Sequence, residues 1–276
     1  NDFEVLQLLE ETLKKCSATG RRPSTAHVDL LERRAALKTR MFGPENSMTR
    51  RALKDTIVAC NSLAMFALGR GDTSRCDELL VRALEMTSSA KWRDKDSDRA
   101  SYGSERCASG GIPSLEILTF NNMACLHRRR LGEPKRALHL LRRAADVGWN
   151  SSTSFENLEV THLNACAVLS ELGRHEEALE HARSAVFHAQ ECEEIGTLSI
   201  DEPSGEERPE GSKSRCARLA TLAVSYYNLA VELEYTHRYE ASLCWYREAV
   251  KLACDPDMRN EELVKTFQRA YVGARK

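Results

Sequence analysis

The chain has 276 residues, 29% of them charged and 42% apolar, and its formal net charge is −1. A composition of that kind folds rather than staying disordered, and its near-neutral balance excludes a global field that would gather nucleic acid or an acidic membrane. No apolar run approaches the roughly 18 residues of a bilayer span, so we expect a soluble protein; the opening NDFEVLQLL, without initiator Met or basic-then-apolar leader, reads as part of something longer.

Two weakly patterned helices are expected first, over residues 2–16 and 24–42. Val5, Leu8, Leu9 and Leu13 line one, and Leu30, Leu31 and Leu37 line the other, so 1–46 reads as a degenerate helix pair. Four stronger pairs follow, at 47–86, 114–150, 153–192 and 215–256. Each reads helix, tight turn, helix: CNSLAMFALGRGDTSRCDELLVRAL from Cys60, NNMACLHRRRLGEPKRALHLLRRAA from Asn121, LNACAVLSELGRHEEALEHARSAV from Leu163 and YNLAVELEYTHRYEASLCWYREAV from Tyr227. Small residues fall in register, namely Ala64, Ala124, Cys166 and Ala230 in the first helices, then Cys76, Ala137, Ala178 and Ser242, and seven later Ala83, Ala144, Ala185 and Ala249. Such positions let antiparallel helices approach closely, while Leu80, Leu141, Ala182 and Tyr246 fill between them. The turn residues are Gly71, Gly132, Gly173 and His237; the second turn carries one extra residue, and His tolerates a left-handed backbone better than branched residues do.

Between the pairs lie two Ser-, Gly- and charge-rich inserts, 87–113 and 193–214, expected to be loops, with Trp92 and Tyr102 as candidate local anchors. Thr153 and Glu156 suggest a capping box. After the last pair, 258–275 has Asn260 as N-cap candidate and an apolar face of Leu263, Val264, Phe267 and Tyr271, the pattern of a terminal capping helix.

The ten cysteines form no CxxC pair and sit mostly inside helical patterns, which points to a reducing, cytoplasmic setting rather than a disulfide frame or zinc site. GRGD at 69–72 is too short for a phosphate loop, HEEALEH at 175–181 lacks the spacing that puts two His one turn apart, and His188 with Cys192 supplies two ligands where structural zinc takes four. No nucleophile, base and orienting group recur in a catalytic pattern. We therefore expect no enzyme, no cofactor and no metal.

The four segments in register, with YYNLA and LGRHEEAL closest to consensus, resemble the tetratricopeptide repeat (TPR) family. Gly132 to Gly173 is 41 residues, and LLERRAALKTRMFGPENSMT resembles the long-repeat type found in kinesin light chains, although the helix after Met48 is about two turns longer than that pattern. The resemblance implies an all-α, right-handed superhelical solenoid of about five antiparallel helix pairs with a C-terminal capping helix, in one domain over 1–276. It also implies that first helices line a concave groove, at Val58, Asn61, Ser62 and Met65, at Leu118, Asn121, Asn122 and Cys125, at Val160, Leu163, Asn164 and Ala167, and at Val224, Tyr227, Asn228 and Val231. Ser62, Asn122, Asn164 and Asn228 share one position, an amide row able to pair with the backbone of an extended peptide; alternatively these amides tie neighbouring helices together. The Lys or Arg expected of a chaperone-tail clamp is replaced by Asn61, Val160, Val224 and Tyr227.

Residues 127–143 hold seven Lys/Arg against one Glu, and 171–210 hold twelve acids against three Arg. Arg128 and Arg129 are expected at the groove rim, reading acidic ligand residues, or the two segments meet between copies of the chain. The expected function is a non-catalytic adaptor that binds a peptide or amphipathic helix of another protein, with no nucleic acid or membrane partner. The alternative is a structural subunit of a cytoskeletal or ciliary assembly.

Overall fold

Helices form wherever the three- and four-residue apolar steps run. A computed structural model describes residues 2–18, 24–89, 112–150, 157–198, 215–258 and 260–275. Eleven helices occur among them and no strand: α1 (Asp2–Ala18), α2 (Thr25–Phe42), α3 (Ser47–Gly69), α4 (Thr73–Ser89), α5 (Ile112–Arg129), α6 (Pro134–Asn150), α7 (Leu158–Glu171), α8 (His175–Leu198), α9 (Arg215–Tyr235), α10 (Tyr239–Ala253) and α11 (Glu261–Ala274). Consecutive helices pack as antiparallel hairpins stacked in series, the arrangement of a TPR-like solenoid, and α11 closes the last hairpin.

The close approach within hairpins happens where the small residues lie. All twelve, from Ala64 and Cys76 through to Ser242 and Ala249, are no more than 2% exposed. Ser242, the one hydroxyl among them, donates to the Ala230 carbonyl of the facing helix at 2.8 Å, so its burial leaves no polar atom unmet. One continuous core runs from α5 to α9, with Ile117, Phe120, Leu141, Leu169, Leu179 and Leu233 at its centre. Phe267 of α11 fills a second core with Met258, Leu219 and Ala249.

The turns share one construction. Gly71, Gly173 and His237 have φ of 85°, 70° and 62°, and the residue after each sends its N–H to the carbonyl five positions back: Asp72 to Ala67, Arg174 to Leu169 and Arg238 to Leu233. This is the Schellman closure of a helix end. At Gly132 (φ 63°) the same bond runs six back, from Glu133 to His127, and the extra residue, Leu131, stands 45% exposed.

First helices differ from second helices in what they touch next. α3 packs on α5, α5 on α7 and α7 on α9, whereas no comparable contact among the described residues joins α4 to α6, α6 to α8 or α8 to α10. The wall of first helices is therefore the tighter, inner side of the stack.

Some boundaries differ from the sequence reading. α4 continues to Ser89, α8 runs to Leu198 and α7 starts at Leu158, preceded by Asn157 at φ 69°, whose amide donates to Ser114 Oγ at 3.1 Å. Thr153, Glu156, Trp92 and Tyr102 lie outside the described residues. Asn260 caps α11 by accepting from the Leu263 N–H at 3.2 Å. One expectation is corrected: α3 is long and apolar enough to cross a membrane by length and composition, though half of its most apolar stretch is buried in the protein. Its length comes from a first half packed on α2, where Arg34 also reaches Asp55 at 2.7 Å.

Two substitutions test this packing. Leu179→Ala, at a fully buried side chain in α8, is expected to lower unfolding free energy by about 2–5 kcal/mol in urea titration. Gly173→Ala, where an added Cβ meets nothing within 4 Å but φ is 70°, is expected to cost about 1–2 kcal/mol by torsion alone.

Candidate functional site: the inner wall

Three adjoining positions on each first helix decide the chemistry of the inner wall. The first carries a hydroxyl in three successive helices: Thr119 of α5, Thr161 of α7 and Ser225 of α9, all buried. Each turns back on its own helix, Thr119 to the Leu115 carbonyl at 2.8 Å, Thr161 to Asn157 at 2.9 Å and Ser225 to Thr221 at 2.9 Å. With its proton so engaged, the oxygen is left to accept.

Two residues further along stand Asn61, Asn121, Leu163 and Tyr227, of which Asn61 and Asn121 point into the seam with the next first helix. Asn61 is 3% exposed and Asn121 2%. The amide nitrogen of Asn61 donates to the Ile57 carbonyl and to Thr119 Oγ1, both at 3.0 Å. Asn121 repeats this with Ile117 at 3.0 Å and Thr161 at 2.7 Å. Both partners being acceptors, the amide oxygen is fixed on the opposite side, where it receives the next residue of the row. Asn122 donates to Asn61 Oδ1 at 2.7 Å and Asn164 to Asn121 Oδ1 at 2.9 Å.

Two of the expected groove positions are thus internal, and Asn122 and Asn164 of the expected row also tie neighbouring first helices together. Asn61 and Asn121 lie inside the wall and are closed to a guest, because their position faces the neighbouring helix rather than the groove. Asn122 and Asn164 are half-buried, each with one N–H bound in the wall; their oxygens and second N–H groups meet no partner among the described residues. Asn228 follows a helix that carries Leu163 at the seam position, makes no side-chain hydrogen bond among the described residues, and is half-buried; Ser62 is exposed. Tyr227 stacks on Phe267 of α11 at 4.7 Å and 16°. Burial raises its phenol pKa first, helped by the nearby Glu234.

Around these amides the wall is apolar. Val160 and Val224 are half-buried, as are Met65, Leu118, Cys125, Ala167 and Val231, and Val58 is 46% exposed. Arg128 is not free at the rim: its Nε and Nη2 both reach Glu171 Oε1, at 2.8 and 2.6 Å, bracing α5 against α7. The basic and acidic segments therefore meet here within one chain. Arg129 is exposed and makes no hydrogen bond or ion pair among the described residues.

Behind α7, His162 and His181 face each other with Nδ1 atoms 2.9 Å apart, and His188 stacks on His162 at 5.5 Å. One ring of the pair must donate and the other accept, which only a shared single proton permits. Burial, then the fields of His181 and His188, pulls the His162 pKa down to about 4, and burial with Arg142 lowers that of His181 against the opposing pull of Glu177 and Glu180. Among the described residues no three His, Cys, Asp or Glu side chains are grouped to hold a metal. The sequence reading missed both this cluster and the Thr119 and Thr161 acceptors; the recurrent hydroxyl two residues before the seam position was the available signal.

No protein-family model matches the chain, and no curated protein matches it. Among solved structures it is similar to a putative kinesin light chain with nearly identical TPR-like repeats from Podosopora anserina. A point-substituted form of that protein is 13% identical, covering 90% of this chain and 94% of that one with a TM-score of 0.44. A second structure is 14% identical, covering 96% and 95%, TM-score 0.39. BtubC (BKLC) from P. vanneervenii is 14% identical over 82% of this chain and 89% of that one, TM-score 0.39.

Two outcomes follow from the wall. Asn121→Ala strands Thr161 and Asn164, and is expected to cost about 1–3 kcal/mol in urea unfolding, whereas Asn228→Ala should stay within about 0.5 kcal/mol. Because the folded His162 pKa lies below its unfolded value of 6.5, its contribution is full above that pH and drains away as pH falls toward about 4. Thermal melts from pH 7.5 to 4.5 are expected to fall less steeply in His162→Phe than in the parent.

Proposed function

We propose that the chain is a non-catalytic protein-interaction scaffold that seats an extended peptide or amphipathic helix of a partner along the inner wall. The observation that carries this is the row Asn122, Asn164 and Asn228, which combines unengaged amide groups with an apolar surround of Leu118, Val160, Val224 and Val231. A guest backbone can exchange its N–H and C=O with those amides while its side chains enter the aliphatic strip between them. Ser62 extends the row toward α3 and Arg129 supplies charge at its edge; Asn61, Asn121, Tyr227 and Arg128 act by shaping the wall. Buried thiols support a non-catalytic reading: Cys60 and Cys166 are pushed up to about 12 and Cys76 to about 11, chiefly by desolvation, so none is a ready nucleophile. The cysteines scattered through the helices fit a cytoplasmic setting.

A second reading, a subunit held permanently in a cytoskeletal or ciliary assembly, is favoured by apolar side chains at the turn edge: Phe66 at 41%, Leu131 at 45%, Tyr235 at 58% and Tyr239 at 55% exposure. Salt-resistant sedimentation with a large particle identifies that case. For the first, a partner captured from a lysate is mapped to its bound peptide, and Asn164→Ala with Asn228→Ala is titrated against it. About tenfold weaker binding with unchanged helicity is expected; unchanged affinity refutes the groove.

A further inference from the structure

The side of α6 that faces away from the core carries charge that little in the described chain answers. Its buried residues are Ala137, Leu138, Leu140, Leu141 and Ala144. Opposite them, Lys135, His139 and Arg142 are exposed at one-turn steps, followed by Asp146 and then Trp149, which is 91% exposed. At 1.5 Å per residue the stripe is about 21 Å long.

Neighbouring cations are engaged: Arg136 pairs with Glu133 at 3.6 Å, and the Arg143 guanidinium sits 4.5 Å over the Phe120 ring. Lys135, His139 and Arg142 make no hydrogen bond or ion pair among the described residues. Arg142 acts on Glu177 of α8 only through its field, and that carboxylate is already held by Arg174 at 2.6 and 2.5 Å. A tryptophan this open, at the end of an unanswered basic stripe, has the composition of a contact surface, where Trp and Arg are the enriched residues.

We propose that this outer face of α6 docks an acidic helix of a partner protein, with carboxylates one turn apart meeting Lys135, His139 and Arg142 and an apolar side chain two turns beyond covering Trp149. The spacing suits carboxylates carried on a helix, since both partners then repeat every turn. It suits nucleic acid poorly, because a single aromatic gives no stacking series for successive bases. The surface is separate from the inner wall, so occupation of one leaves the other open.

The test uses an acetylated helical peptide with Glu at three one-turn steps and Leu two turns further, its Gln counterpart, and a single-stranded oligonucleotide, each titrated by fluorescence anisotropy at low and high salt. At low salt the Glu peptide is expected to bind roughly tenfold more tightly than the Gln peptide, and Lys135→Glu plus Arg142→Glu to abolish that margin. Trp149→Ala is expected to weaken it several-fold, and Asn164→Ala with Asn228→Ala to leave it unchanged. Equal binding by the charge-reversed variant, tighter binding of the oligonucleotide, dependence on the inner-wall amides, or no binding of the Glu peptide each overturns the proposal.

Discussion

Close contact between antiparallel helices is the constraint from which the rest follows. Two helices can approach to backbone distance only where neither presents bulk, and here that is achieved with Ala, Cys or Ser at three places in each of four hairpins, every one buried. Because those places are seven residues apart along the second helix, the same face returns after two turns and the contact is a line rather than a point. The line sets which residues face the next hairpin. Leu80, Leu141 and Tyr246 are large for that reason, and the inner-wall positions are carried to fixed places on the opposite flank.

The inner wall then solves a problem that stacking creates. Amides placed between consecutive first helices would be costly if left unpaired, since burial removes their water. Asn61 and Asn121 avoid the cost by a one-way chain of donation: backbone carbonyl and threonine oxygen fix the nitrogen, and the oxygen is thereby committed to the next asparagine. The polarity of Asn122 and Asn164 at the groove is set by carbonyl groups deep in α3 and α5, several bonds away. A surface amide of this kind is held in orientation by the protein itself.

How much of this was legible in the residues depends on the range of the signal. The small-residue register and the turn positions, including His237 in the left-handed region, repeat in sequence and are read directly. The recurrence of asparagine along the first helices was also legible, but not which of two adjacent asparagines is enclosed. Asn121 and Asn122 differ by one step along their helix, a rotation of about 100°, and only the placement of the adjoining helix decides which is enclosed. Arg128 illustrates the same limit: its partner, Glu171, lies 43 residues away, and nothing local announces the bond. The His162–His181 contact likewise joins two helices whose faces are set by packing. The apolar stretch of α3 went unread because polar residues such as Asn61 and Ser62 interrupt it, and hydropathy along a helix does not say whether protein or lipid would cover it.

Leu163 stands where Asn61 and Asn121 stand in the preceding helices, and this single replacement changes how the next junction is held. The α3–α5 and α5–α7 seams are latched by directional bonds that tolerate little sliding before they break. Between α7 and α9 Leu163 cannot repeat that amide latch, and the hold passes to α8: His175 meets Glu232 at 2.9 Å, Gln190 donates to the Tyr226 hydroxyl at 3.1 Å, and Arg218 reaches Glu193 at 3.0 Å. The last hairpin is therefore fastened from its outer side, through α8, rather than along the wall of first helices. Asn164 and Asn228 thus stand on either side of the change from one fastening to the other.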